Sequence, residues 1–178
     1  MNETLNEIGF RRLGKYFVFE LWQIIFDLLP YSPLRIIWMK IAGAKLGSGC
    51  VVEKADFINL DRFGLKGLQV GNKCFIGRGA LLDTAGEIIL ENEVTVSAKA
   101  SILSHFSVGF NDHPLIKKFP KVVAKTTIQK GSFIGLGSIV LPGVIIGREC
   151  MIGAGSVVTK NIASFCTAAG VPAKNIKK

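Results

Sequence analysis

Histidine is nearly absent from this chain: there are two in 178 residues, His105 and His113. That shortage excludes a His-rich structural zinc site, and the four cysteines do not replace it, because no two stand at metal-ligand spacing. No disulfide framework is evident either, so the thiols read as reduced, which points to the cytosol. Carboxylates are short, 13 Asp and Glu against 22 Lys and Arg, for a formal net charge of +9. The excess favours anionic partners, a cofactor with phosphates or a membrane surface. It does not favour nucleic acid, since the basic residues are scattered and neither an aromatic stacking platform nor a basic recognition helix is present. No apolar run free of charge reaches the roughly twenty residues that a bilayer span needs. The length allows one domain with a sizeable core and no second enzyme.

Aliphatic residues, by contrast, are abundant and regularly spaced. Ile128, Ile134, Val140, Ile146, Ile152 and Val158 fall six residues apart. Compact residues follow the first five at the fourth place on: Ser132, Ser138, Val144, Cys150 and Ser156. A helix repeats every 3.6 residues and a simple strand every two, so a strict six fits neither over this length. It fits short strands joined by sharp corners, three faces to a coil of about eighteen residues, stacked as a solenoid. The register begins at Leu46, Val52 and Ile58, passes Gly64, and continues in phase at Val70, Ile76 and Leu82. Two extra residues shift it to Leu90, Val96 and Ile102, and after an interruption it resumes at Ile128. Cys50, Cys74 and Cys150 occupy the compact slot and read as small inward-facing residues, while Cys166 lies in the tail.

Ile134-Gly135-x-Gly137-Ser138, Pro142-Gly143-Val144-Ile145-Ile146-Gly147, the run Ile152-Gly153-Ala154-Gly155-Ser156-Val157-Val158-Thr159-Lys160 and the tail Ala169-Gly170-Val171-Pro172-Ala173-Lys174 resemble the hexapeptide-repeat acyltransferases. Within that superfamily they look most like galactoside and maltose O-acetyltransferases and their relatives in polysaccharide biosynthesis. The likeness runs from about residue 44 to 178. It implies an all-β solenoid that is a left-handed parallel β-helix, a homotrimer, and acetyl-CoA as co-substrate with no metal. The expected organisation is an N-terminal helical segment over 1–43, a β-helix over 44–165 with an excursion loop over 106–126, and a tail over 166–178.

The first 43 residues lack the six-residue period. Leu13 to Leu29 is apolar except for Lys15, Glu20, Gln23 and Asp27, and the last three form one narrow polar stripe on a helix. Pro30 to Pro33 ends it, and Ser32 is placed to cap a second helix with Pro33 at its first position. Two carboxylates interrupt the run, and no small-x-small cleavage site follows, which argues against a membrane span and against an export signal. Two compatible expectations remain: a helical cap on the solenoid, and a helix in the membrane interface. The second draws on Trp22, Trp38, Arg11, Arg12, Lys15, Arg35 and Lys40, and would hold a cytoplasmic protein on the inner membrane face.

Acetyl transfer from a thioester to a sugar hydroxyl requires removal of the hydroxyl proton, work that suits an imidazole, which titrates at about 6.5. If both substrates bind together, direct attack suffices and no serine or cysteine nucleophile is needed. His105 lies where the repeat gives way to the loop, on a rigid element, and the resemblance places a catalytic histidine at such a coil-to-loop exit. His113 stands in a His-Pro pair, which some relatives have at the catalytic place, so both histidines are candidates. Asp83, where the register slips, and Asp112, beside His113, are candidate acceptors for sugar hydroxyls; either could equally be a solvated turn aspartate. The resemblance also implies cofactor contacts. Gly135, Gly153 and Ala154 match backbone positions along the pantetheine arm. Lys160, Lys174 and Lys177 match basic positions at the nucleotide phosphates, the last two being commonly arginine in relatives. Leu136 stands where some sugar acetyltransferases have serine, which leaves the oxyanion donor unassigned, and Phe133 could stack on the cofactor or lie on the outer face.

Other classes fit less well. A carbonic-anhydrase-like member of the fold needs three histidines. A structural β-solenoid would show flat polar rows and no long loop. N-acetylation of an amino sugar and O-acetylation of an amino acid such as serine stay open, because no feature of the sequence reads the acceptor.

Overall fold

The computed structural model describes residues 10–110 and 112–176. The described chain runs through α1 (Phe10–Leu28) and α2 (Ser32–Ile41), then winds in rotation through three sheets that are parallel except for the final strand of the second. The first face holds β1 (Lys45–Leu46), β4 (Leu68–Val70), β7 (Ile88–Leu90), β12 (Thr126–Ile128) and β15 (Ile145–Ile146). The second face runs from β2 (Val51–Val52) through β5 (Phe75–Ile76), β8 (Thr95–Val96), β13 (Phe133–Ile134) and β16 (Met151–Ile152) to β18 (Thr167–Ala169) and β19 (Lys174–Ile176). The third face holds β3 (Asp56–Ile58), β6 (Leu81–Asp83), β9 (Ser101–Ile102), β14 (Ile139–Val140) and β17 (Val157–Val158). Five turns of three strands at a spacing of ~4.8 Å make a stack of ~24 Å.

Strands of two or three residues leave one inward place each, and the spaced aliphatics fill it. Val70, Ile76, Leu82, Leu90, Val96, Ile102 and the six from Ile128 to Val158 are all buried. Each stacks on its counterpart in the next turn, as Leu82 does on Ile102 and Ile102 on Val140. The compact slot behaves likewise: Cys74, Ser132, Ser138, Val144, Cys150 and Ser156 are buried. Cys50 is only half-buried. Burial pushes the Cys74 thiol up to about 11, and all four cysteines are free.

The first turn departs from the simple register. Phe57, not Ile58, points inward and pairs with Leu82, while Ile58 is exposed. The cause is the cap. Phe57 meets Trp22 and Phe26 edge-on, with ring centroids 5.6 and 5.3 Å apart. Such aromatic pairs contribute ~0.5–1.5 kcal/mol beyond the area they bury. The place marked by Gly64 is not a face at all, because residues 60–63 form a single helical turn, α3 (Leu60–Phe63), between β3 and β4.

The two N-terminal helices close the open end of the first turn. Trp22, Phe26 and Met39 join the same apolar core as Val52 and Phe57. Gln23, from the expected polar stripe, donates to the Ala55 carbonyl at 3.0 Å and so faces the stack. Ser32 does not cap α2, whose N-cap is Tyr31; its hydroxyl instead accepts the Val52 N–H at 2.7 Å. Arg35 is buried, donating to the carbonyls of Leu29 and Val52 at 2.6 and 3.3 Å. Trp22 and Trp38 stack at 6.4 Å. These three residues belong to the cap and are not available to a membrane interface.

The insertions share one edge. The passage from third face to first contains α3 (Leu60–Phe63), the two extra residues near 83–87 and the excursion after Ile102. The excursion begins as a ribbon, β10 (His105–Phe106) paired antiparallel with β11 (Val122–Val123), so its root is fixed. The edge from first face to second stays regular through all five turns, and the edge from second to third does so after the first turn, where Val52 to Phe57 is one residue short.

Candidate active site

Stacking decides which polar groups meet on the irregular edge. Because Leu82 lies over Ile102, Asp83 and the residues after Ile102 are neighbours although 22 positions separate Asp83 from His105. Asp83 is fully buried at the end of β6. One carboxylate oxygen accepts from the Asn59 amide at 2.7 Å and the Ala85 N–H at 3.1 Å. The other accepts from the Ser104 N–H at 3.1 Å, the His105 N–H at 2.9 Å and His105 Nδ1 at 3.1 Å. Burial by itself raises the Asp83 pKa, but donation from Asn59, Ala85, Ser104 and His105 outweighs it and holds the carboxyl below its ordinary value. Ser104 is locked beneath, its hydroxyl donating to the Asp83 carbonyl and accepting the Gly86 N–H at 2.8 Å.

This arrangement fixes the imidazole of His105. An ionised carboxylate only accepts, so Nδ1 carries the proton that points at Asp83. The Asn59 amide also approaches Nδ1, at 3.5 Å, a longer contact than that to the carboxylate. The neutral ring therefore bears its lone pair on Nε2, with the side chain 21% exposed. His113 has the opposite arrangement. Its Nδ1 accepts the Leu115 N–H at 3.1 Å, so its neutral form carries the proton on Nε2 and has no lone pair to offer there. Asp112 is exposed in the excursion.

The sequence leaves Asp83 open between an acceptor for a sugar hydroxyl and a solvated turn aspartate. Both of its oxygens are taken by the chain's own donors, and it faces His105. Asn59 was not anticipated. It sits in the left-handed region at φ 62°, a conformation that asparagine tolerates, and the six-residue register, which runs in phase through Gly64, does not mark it.

The residues expected at the cofactor fall into two groups. Gly135, Gly153 and Ala154 lie on the regular edge from second face to third. A Cβ on Gly135 would collide with the Ile152 carbonyl and lie 2.6 Å from the Ala154 nitrogen. A Cβ on Gly153 would lie 2.8 Å from that of Ala169. Coil-on-coil contact thus requires both glycines, whatever else they touch. Lys174, exposed on β19 and paired with Ala169, is close to the same edge. Lys160 follows β17 and is exposed on the edge of His105, two turns further on. Lys177 lies outside the described residues. Leu136, at 57% exposure, and Phe133, at 41%, leave apolar surface along the second face and the edge that follows it. A smooth, small-residue edge with Lys174 near its far end suits a thin apolar arm ending in phosphates. Among the described residues no group of three or more His, Cys, Asp and Glu could hold a metal ion.

Comparison with known proteins agrees with this architecture. The bacterial transferase hexapeptide family (six repeats) matches residues 125–160. Serine acetyltransferase of Buchnera aphidicola subsp. Acyrthosiphon pisum is 37% identical over 111 residues, covering 58% of this chain and 36% of the relative. The chain thus spans about a third of the length of the curated relatives it matches. Among solved structures, a galactoside acetyltransferase in complex with coenzyme A superposes with a TM-score of 0.80 at 22% identity, covering 96% of this chain and 84% of that one. A maltose O-acetyltransferase from Clostridium difficile 630 gives 0.77 at 21% identity, covering 96% and 89%.

Proposed function

We propose that this chain, which carries a hexapeptide-repeat domain, is an acetyl-CoA-dependent O-acetyltransferase acting on a hydroxyl of a sugar or glycan precursor. The observation that carries the reading is the His105–Asp83 pair: a buried carboxylate holding one imidazole so that Nε2 is free. When bound, acetyl-CoA supplies an acyl group already activated as a thioester. His105 Nε2 takes the proton of the hydroxyl as its oxygen bonds to the acyl carbon, Asp83 stabilises the resulting imidazolium, and as the acyl C–S bond breaks the imidazolium returns that proton to the departing thiolate. Asn59 and the three backbone N–H groups keep Asp83 ionised and in place. Gly135, Gly153 and Ala154 give the pantetheine arm close approach, and Lys160, Lys174 and Lys177 meet the nucleotide phosphates.

The stack is, on this reading, a left-handed parallel β-helix, and the working unit is a homotrimer. The dyad and the glycine-lined edge lie on different edges of one chain, so a site that uses both is built when one copy's irregular edge meets another's regular edge. Head-to-tail contacts of that kind form a ring where the rotation closes, and the resemblance to hexapeptide-repeat acyltransferases implies three copies. The excursion over 106–126, with Asp112 and His113, is placed to cover the acceptor.

An amino-acid hydroxyl is the second reading, favoured by the match to serine acetyltransferases over the repeat. A panel containing a neutral sugar, a lipid-linked glycan precursor, an amino sugar and serine, each with acetyl-CoA and a thiol-release readout, separates the readings. Turnover with the sugar or glycan hydroxyls supports the proposal. Turnover confined to serine or to the amine replaces the acceptor, and no CoA binding at all overturns the enzyme.

A further inference from the structure

The cap helices are apolar on the side that faces the core and apolar again on the side that faces away. On α1, Phe17, Leu21, Ile24 and Leu28 follow one another at helical spacing and are 51–76% exposed. On α2, Leu34, Ile37 and Ile41 do the same at 43–71%. The core-facing sides are occupied by Trp22, Phe26 and Met39. A helix with two apolar sides and only a narrow polar stripe calls for burial on both, and here the stack supplies it on one. No described helix is long and apolar enough to cross a membrane.

We propose that the outward face of α1 and α2 docks flat on an anionic lipid bilayer and sets the acceptor's height above it. Charge selects the bilayer over a second copy of the chain. Lys40 is exposed beside the α2 stripe and Arg11 and Arg12 fall in the first turn of α1, within a chain of net charge +9, while Lys15 lies on the stack-facing side of α1 near Phe19 and Leu60. Glu20 and Asp27 flank one side of the α1 stripe and are outnumbered by these cations. Basic residues next to an apolar face add electrostatic attraction to anionic lipid, whereas two such faces brought together repel. Position agrees: the helices cover the inward residues of the first turn, so they sit at the end of the stack. In a ring built along the stack axis, every copy presents this end in the same direction, and weak individual contacts add as avidity.

The docking has a consequence for the acceptor, which rests on the acetyltransferase reading above. His105 follows the third turn, two spacings from the first, or about 10 Å. A helical layer adds about 10 Å, of which ~5–10 Å enters the headgroup region. The dyad then stands about 10–15 Å above the bilayer. That height suits a sugar hydroxyl close to the lipid end of a membrane-borne glycan and not one far out along it.

The test is flotation of the full chain with vesicles of phosphatidylglycerol and phosphatidylcholine in equal parts, against vesicles of phosphatidylcholine alone. Binding should require phosphatidylglycerol, weaken as salt rises, and drop on the order of tenfold or more in the triple variant Leu21→Gln, Ile24→Gln, Leu28→Gln, whose side chains leave the core untouched. Sedimentation of the same proteins without lipid is the second readout. Equal flotation of wild type and variant overturns the docking, as does absence of flotation. Loss of self-association in the variant, with no vesicle effect, assigns the face to a second copy. Turnover on a water-soluble acceptor is measured in parallel: if it persists in the variant while flotation is lost, docking is separated from catalysis. If it is absent from the wild type as well, the enzyme reading fails independently.

Discussion

Replacing Asp83 by asparagine keeps the shape of the site and removes its charge, which makes it a sharp perturbation. Each carboxylate oxygen accepts at least two donors: Asn59 and Ala85 N–H on one side, Ser104 N–H, His105 N–H and His105 Nδ1 on the other. An amide has one oxygen, so whichever way it turns, at least two buried donors face an NH₂ group. At ~1–3 kcal/mol for each donor left without an acceptor, the variant loses ~2–6 kcal/mol at neutral pH. Across a chain of this size that lowers Tm by roughly 5–20 °C. The loss should depend on pH with a defined sign. The folded-state pKa of Asp83 lies below its unfolded value, so its stabilisation is complete above the unfolded pKa and disappears as pH falls through the folded one. Urea or thermal melts of wild type and Asp83→Asn should therefore differ most near pH 7 and converge in strong acid. Acetyl transfer should fall ~10²–10⁴-fold, because the imidazole loses both its tautomer and its counter-charge. A variant as stable as wild type at pH 7, with transfer intact, would refute the role given to Asp83.

Three further outcomes follow from the same contacts. Phe57→Ala should destabilise the chain by ~3–5 kcal/mol, read as a lower urea midpoint, because Trp22 and Phe26 lose the ring they pack against. With the Cys74 thiol pushed up to about 11 by burial, the folded state keeps a proton that the unfolded chain releases at lower pH. Stability should thus decline by ~2–3 kcal/mol as pH rises from about 9 to about 11, and Cys74→Ala should flatten that slope in melts across the range. Lys160→Ala combined with Lys174→Ala should weaken CoA binding in calorimetry far more than binding of dephosphorylated pantetheine, and equal loss for both ligands would assign the lysines to folding.

The six-residue spacing carries the stack because one inward aliphatic per face is all that a two-residue strand can offer. It cannot register what the cap does to the first turn. Phe57 displaces Ile58 because rings from α1 are waiting for it, and Ser32, Trp22, Trp38 and Arg35 turn inward for the same reason. Local patterns rank helix faces by polarity, and here both faces of the helices are apolar, so composition alone left the tryptophans and Arg35 open between the cap and the interface. His105 was legible from its place after Ile102. Its partner was legible only in part: the register slip marks Asp83, but that Asp83 lies under His105 follows from the length of a coil. Asn59 needed the structure, because a left-handed asparagine before a single helical turn resembles any other loop residue.

The central claim is that His105, and not His113, is the base. Single-turnover acetyl transfer by His105→Ala and His113→Ala, with CoA affinity measured alongside, tests it most directly. The account predicts a fall of ~10²-fold or more for His105→Ala with CoA affinity retained, and a minor change for His113→Ala. Near-wild-type transfer by His105→Ala, together with a collapse in His113→Ala, would contradict it.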